Sequence, residues 1–537
     1  MNMKRLLALM MALAMMVGLL AACGSSTDSD DTSTADSTEE TSTETTDDSS
    51  SDSTEGTTLT IGIVSTSGGF DHVGTHGQSD DLNTYLAWDS LFKQDAETGE
   101  MVPCMVDTYE WIDETHLRLT LKEGITAADG EEITAEDALY SLKRYYDEDS
   151  NLISFVEQYD FDNSYVDEDD PLTFVLAFTE EFGPGIRYLY LPIVPMDWAT
   201  TGEGAEDATW WDSPNSTGPY TCVENVDGAY VTFQLRDDYY GDTTGMADFI
   251  TIRYYGEEST MYIDYQNGVL DACFGLSSDD ATSLEGVEGS TVVIQSENDI
   301  YMLVLPEYVE QFDDENVRMA VAHAIDYEQV AVAGFGELWT ACDSILPTNV
   351  SYHISTDLPY EYDVEYAKEL MAASAYPDGF DLTVVVTNSD ENINMMTVIQ
   401  AYLAEIGINI TIESYDIATA VPMLQAGESG LTLNHGMGGN PQLEPAISLQ
   451  NYCSTTTNLS VMISDEDWNT WLDLGLHSVD EDTRAEAYEA MQEWAVDAYR
   501  LLPVCESGYA YAYHDTIAYA ACAAPSAPDL TQWVMAD

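Results

Sequence analysis

Two histidines four residues apart, His72 and His76, are the first residues in the chain whose types could act together. On one face of a helix that spacing would suit a metal ion. Gly68, Gly69, Gly74 and Gly77 surround them, which argues for a flexible loop instead and against a metal role. The 99 acidic residues make carboxylate pairs so common that none can be singled out as a glycosidase dyad. No HExxH, GxSxG, GxGxxG, Walker or EF-hand pattern occurs, and Gly334-Phe-Gly336 lacks the third glycine of a dinucleotide loop. Beyond Cys23, the other cysteines run from Cys104 to Cys522 without CxxC spacing. They read as small buried thiols, mostly unpaired. What remains has the character of a binding surface. Ser65 to Asp71, containing Phe70, follows a first strand, and Gly436-Met-Gly-Gly-Asn-Pro441 could let backbone approach a ligand. A plain glycine-rich turn is the other reading of the second loop. Neither catalysis nor a metal or cofactor is expected.

The elements that must position these loops are legible in part. Asp363 caps a helix from Val364 to Ala373, Tyr376-Pro-Asp-Gly379 turns, and Leu382 to Thr387 is a β-branched strand. A helix from Ile393 to Ile406 follows, Gly407 ends it, and Ile408 to Ile412 makes a second strand. Such strands lie parallel with a right-handed crossover, and open α/β sheets bind ligands beyond their carboxyl ends. Those ends are Asn388-Ser389 and Tyr415-Asp416. Leu431 to His435 reads as a third strand entering the second glycine loop. Nearer the start, Thr58 to Val64 is a strand, and residues 82–93 carry helical spacing with Trp88 as core. Leu117, Leu119 and Leu121 alternate as a half-buried strand, and Thr134 to Asp137 caps a helix with an apolar stripe of Ala138, Leu139, Leu142 and Tyr145.

A chain of 537 residues exceeds what one core accommodates, so two or three packed units are expected. With 99 acidic against 14 basic residues and a net charge of -85, no basic stripe for nucleic acid can be assembled, and anionic ligands are disfavoured. Lys4-Arg5 followed by an apolar run from Leu6 to Leu20 reads as an export signal. Its ending, Leu20-Ala-Ala-Cys23, resembles the lipobox of bacterial lipoproteins, which implies a diacylglycerol on Cys23 and residence on the outer face of the cytoplasmic membrane. Residues 24–58 hold 21 Ser or Thr and 11 Asp or Glu with no aromatic residue, a disordered tether in composition. No second run is apolar enough to span a bilayer.

From Tyr85 onward a series of phrases recurs in order: Leu91-Phe92, Val102-Pro103 to Trp111, Leu121-Lys-Glu-Gly-Ile125, Asp129-Gly130, Thr134-Ala-Glu-Asp-Ala138 and Ser141-Leu-Lys-Arg144. Ser216-Thr-Gly-Pro-Tyr220, Arg236 to Gly241, Gln266 to Asp271, Val317 to Asp326 and Leu501 to Gly508 continue it. Together they resemble the peptide, opine and nickel class (family 5) of ABC-transporter solute-binding lipoproteins, over most of residues 59–515. The resemblance implies an α/β, two-lobed periplasmic-binding-protein-like fold with an additional inserted subdomain. It divides the chain into a signal (1–23), a linker (24–58), lobe I in three parts (59–92, 216–297, 501–537), an insert (93–215) and lobe II (298–500).

It also implies a monomeric receptor that captures an extended solute, an oligopeptide or dipeptide, by hinge closure and delivers it to ABC permease and ATPase subunits. Nickel chelate, oligosaccharide or opine cargo is the alternative, and a cell-surface hydrolase a further one. The loops and strand ends together with the resemblance give Phe70, Tyr301, Asn388, Tyr415, His435, Met437, Asn440 and Glu506 as the candidate ligand residues. In peptide-binding members the second glycine loop carries Gly-Trp and then an aspartate for the peptide amine. Met437 and Asn440 stand near those positions, so a charge-assisted contact becomes a neutral one.

Overall fold

The computed structural model describes residues 56–536, apart from 67, 72, 74–77, 148–157, 202–213, 437–443, 451–462 and 524–527. His72, His76, Met437, Asn440 and the tether therefore lie outside the described residues, as does Cys23.

A nine-stranded sheet runs through the molecule. An internal stretch is parallel: Thr58–Val64 pairs with both Phe249–Tyr255 and Ala272–Phe274. The antiparallel hairpin Tyr220–Val226 and Tyr230–Leu235 extends it, turning at Gly228, whose φ is +69°. Gly62 is the one position of the first strand where a side chain has no room. A Cβ there would stand 2.5 Å from Leu270 Cδ1 and 2.9 Å from Met261 Cγ, because Glu258–Gln266 packs its helix onto this strand. Leu59, Ile61 and Ile63 fill the opposite face with Phe233, Ile250, Ile252 and Tyr511.

The four strands Val106–Asp113, His116–Leu121, Thr173–Ala177 and Tyr165–Val166 form a separate antiparallel sheet. Leu117, Leu119 and Leu121 are its buried positions, as their alternation requires. The helix Ala135–Asp147 covers it. Only half of the capping box is made: Asp137 Oδ2 accepts from both the amide and the hydroxyl of Thr134 at 2.8 Å.

The expected αβαβ unit is present. Asp363 accepts from Tyr366 N at 3.0 Å to start the helix Val364–Ala373. Phe380–Thr387 and Ile408–Tyr415 pair in parallel around the helix Asp390–Glu405, and Gly407 has φ +86°. Gly379 abuts it so closely that a Cβ would lie 2.0 Å from the Gly407 carbonyl. Val317, Val321, Ala324 and Ile325 are fully buried in this half's core. His323 belongs to the same helix, its ring held to the Glu361 carbonyl at 2.9 Å. Among the described residues, the cysteines at 104, 222, 273, 342, 505 and 522 are in no disulfide.

The helix expected over 82–93 differs in extent: it spans Gln78–Ala87. Trp88 N still bonds to Thr84 O at 2.8 Å, but Asp89 N turns to Thr217 Oγ1. From there the buried chain leaves the helix for a short strand, Phe92–Gln94. Tertiary partners from residues 215–218 take the place of the next helical turn.

Candidate functional site

Two long strands, Ser290–Val304 and Leu501–His514, join the two halves of the molecule. Tyr511 at one end sits in the core of the first strands, whereas Leu303 and Leu502 at the other belong to the core of the αβαβ unit. Their antiparallel ladder is regular from Ser290 opposite His514 to Ser296 opposite Gly508, breaks, and resumes at Ile300 opposite Glu506. Asn298, in the break, has φ +60°, a left-handed conformation that asparagine tolerates better than bulkier residues. Its Nδ2 donates to the Ala523 carbonyl at 3.1 Å. A buried stretch without ladder bonds is where two packed halves can swing with the fewest interactions lost.

Strands of both halves end near this break. Phe274 ends opposite Tyr511, and Gly275 N bonds to Ala510 O. In the other half Thr432–Gly436 runs antiparallel to the long strand and ends with Gly436 opposite Ile300. Gly436, Ile300, Glu506 and Thr340 thus form one row across four strands.

The residues expected at the site fall into three groups. Tyr301, His435 and Glu506 are brought together in this row and the adjacent one, where Tyr301 is opposite His435 and Cys505. Tyr301 turns its ring into the core edge-on to Phe335 at 5.0 Å, and burial raises its phenol's pKa. Glu506 is fully buried. Its Oε1 accepts from Thr348 N at 2.9 Å and Thr348 Oγ1 at 2.6 Å, while Oε2 has no hydrogen-bond partner among the described residues. Asn388 and Tyr415 mark the ends of the parallel pair, Asn388 N donating to Tyr415 O at 2.8 Å. Tyr415 OH donates to Glu413 at 3.0 Å, a bond that raises its pKa. Phe70 stands apart: its ring is in the first core, edge-on to Phe233 at 5.8 Å, and its carbonyl accepts from Trp88 Nε1.

Between the halves lies a cavity of about 920 Å³ whose lining no sequence pattern outlines. Glu97, Glu100 and Arg187 line it from one side, Gln295 and Cys522 from the break, and Thr348, Ser351, Tyr352 and Glu481 from the other. Gln295 Nε2 donates to the Cys522 carbonyl at 2.7 Å, and burial pushes the Cys522 thiol up to about 12. Thr348 connects this wall to Glu506. Three carboxylates and one guanidinium give the lining a negative balance. Only Asn298 among the missed residues left a signal, a polar Asn-Asp pair interrupting an apolar strand.

Comparison with known proteins agrees with this architecture. The model of bacterial extracellular solute-binding proteins, family 5, matches residues 100–458. The glutathione-binding protein GsiB of Escherichia coli K12 is 22% identical over 451 residues, covering 80% of this chain and 86% of its own. HbpA2 from Haemophilus parasuis superposes with a TM-score of 0.81 at 16% identity, over 89% of this chain and 100% of that one. The Helicobacter pylori periplasmic binding protein DppA, solved with the peptide STSA, gives 0.66 at 19% identity, over 89% and 98%. The chain belongs to family 5 of the bacterial extracellular solute-binding proteins.

Proposed function

We propose that this protein is the cargo receptor of an ABC importer, anchored by a diacylglycerol on Cys23 to the outer face of the cytoplasmic membrane and standing off it on residues 24–58. Lobe I comprises 59–92, 216–297 and 501–537, the insert 93–215, and lobe II 298–500. The cargo is an extended solute, an oligopeptide or dipeptide, held between the lobes and passed to permease and ATPase subunits as a monomeric receptor's load. The observation that carries this is the broken ladder at 296–300 joining two separately cored halves across a roomy cavity. Ligand that touches both lobes does so only when they are closed, so binding shifts the population towards the closed form. Asn388, Tyr415 and the His435 to Asn440 loop are the candidate contacts, Tyr301 packs behind them against Phe335, and Glu506 organises Thr348. The negative lining favours neutral or cationic cargo over acidic cargo.

Native mass spectrometry of the chain extracted from membranes tests each part. A diacylglyceryl mass on the chain supports the anchor, and co-purifying peptides support the cargo. A non-peptide adduct alone, or turnover of the bound ligand over hours, overturns the peptide-receptor reading. Equal binding of acidic and basic peptides at low salt overturns the charge preference.

A further inference from the structure

The four-stranded sheet does not touch only the half it follows in sequence. Between its last strand and Ser216 the chain makes a tight turn, Gly183–Leu189, which presses on the far half of the molecule. His477 Nδ1 bonds to the Glu181 carbonyl at 2.9 Å, and Val479 N donates to Glu181 Oε1 at 3.0 Å. A Cβ on Gly183 would stand 2.1 Å from the Ser478 carbonyl and 2.7 Å from Arg484 Nε, so the two backbones are in direct contact. Arg187 Nη2 donates to Ser351 Oγ, and its Nε is 3.7 Å from Glu444 Oε2. Leu476 packs against the cores on both sides.

What this turn meets is a buried polar cluster. Glu444 is fully buried and accepts from Arg484 Nη2 at 2.7 Å and Tyr488 OH at 2.8 Å. Arg484, 1% exposed, also donates to Gly475 O and Tyr352 OH. Glu444 is thus held by its own half, and Arg187 adds a second cation from outside. Such an arrangement suits a reversible contact: when it parts, Glu444 keeps a partner, and the returning group is a long, weakly hydrated guanidinium that costs less to desolvate than an ammonium would.

We propose that Glu181–Leu189 is a clasp that latches the insert to the second lobe and holds the receptor closed. It rests on the hinged-receptor reading above. It shares Arg187 with the cavity wall, so one of the side chains that hold the clasp also shapes the cavity. Closure then has an energetic component independent of cargo, and weakening the clasp lowers apparent affinity by the factor by which the closed fraction falls.

The test is distance across the mouth in the full chain, with donor and acceptor dyes on encoded azido residues at Glu257 and Ile417, both exposed. Without added ligand, Arg187→Ala and Gly183→Leu are expected to lower energy transfer relative to the parent, and Arg187→Lys to restore part of it. In titrations with a defined tripeptide pool, Arg187→Ala should weaken binding about tenfold if the closed fraction falls tenfold. Unchanged transfer in both variants, with a lowered unfolding temperature, would show static packing and overturn the clasp. A pool that binds no variant and not the parent speaks against peptide cargo, whereas the ligand-free distances still decide the clasp.

Discussion

Replacing Arg484 by methionine removes a guanidinium while keeping most of its length. The fully buried Glu444 then loses its 2.7 Å partner and retains Tyr488 OH at 2.8 Å and Arg187 at 3.7 Å. Gly475 O and Tyr352 OH lose a donor as well. Breaking a buried pair on one side typically destabilises by about 3–5 kcal/mol. The residual contacts to Glu444 place this case near the lower end, at about 3 kcal/mol. Unfolding entropy of about 2 cal/mol/K per residue, over the roughly 480 residues from Gly56 to Asp537, amounts to about 1 kcal/mol/K. The transition should therefore move down by about 3 °C if the body melts as one unit, and by about twice that if the second lobe melts alone. Scanning calorimetry of the full chain reads this directly. Lys143→Ala provides the contrast, since its pair with Asp147 is 2.9 Å long with both side chains about half exposed and is worth at most about 1 kcal/mol. Glu444→Gln combined with Arg484→Met should recover stability relative to Arg484→Met alone, because no uncompensated charge stays buried. If Arg484→Met shifts the transition no more than Lys143→Ala, the buried cluster is not what holds this lobe together.

Further outcomes follow from single positions. Gly379→Ala forces a side chain at φ +77° into the Gly407 carbonyl and is expected to destabilise by at least about 2 kcal/mol, read as a lower denaturation midpoint. Asp89 is held by Tyr239 and Tyr240 hydroxyls at 2.8 and 2.6 Å, but burial outweighs them and raises its pKa. The folded state therefore binds this proton more tightly than the unfolded one. Its contribution is present below the ordinary carboxylate pKa and declines as pH rises to the raised value. Asp89→Asn should flatten that part of the stability profile, and an unchanged pH difference between parent and variant would refute the assignment. Thr348→Val leaves Glu506 Oε1 with one donor instead of two and is expected to lower stability by about 1–3 kcal/mol. Asn440→Asp should improve binding of free-amine peptides over their N-acetylated forms, as measured by calorimetric titration, and no gain would remove Asn440 from the amine site.

Local signals carried far where one short segment decides its own structure. Asp363, Gly379 and Gly407 fixed a helix start, a turn and a helix end, and the parallel pair between them formed as its β-branched strands required. The 82–93 segment shows the limit. Its helical spacing continues past Ala87, but the bond that ends the helix comes from Thr217, some 130 residues on. The site followed the same division. Asn388 and Tyr415 could be placed because strand ends are local features. Phe70 shows the limit of a loop aromatic as a signal, since it looks alike in sequence whether its ring faces solvent or, as here, Phe233. Arg187, Thr348 and Cys522 meet around one cavity although each is more than 150 residues from the next in sequence, and no pattern in the chain links them.

The acidity of the chain acquires a specific meaning once Arg187 is placed. With only 14 basic residues, each cation that is buried between halves rather than left in solvent is a substantial part of the available supply. Arg484 lies inside the second lobe, Arg236 ties Ser216, Gly218 and Thr126 carbonyls where the insert rejoins the first sheet, and Arg187 spans the gap between insert and second lobe. Like charges over the rest of both surfaces repel, and that repulsion acts to open the mouth. A salt-dependent opening force opposed by one short-range guanidinium contact is a balance that added ions screen unequally: long-range repulsion weakens first, the largely buried contact last. Rising salt should therefore favour the closed form in the parent and do so less steeply in Arg187→Ala, where the repulsion is screened but the clasp keeps only its Glu181 and Gly183 contacts.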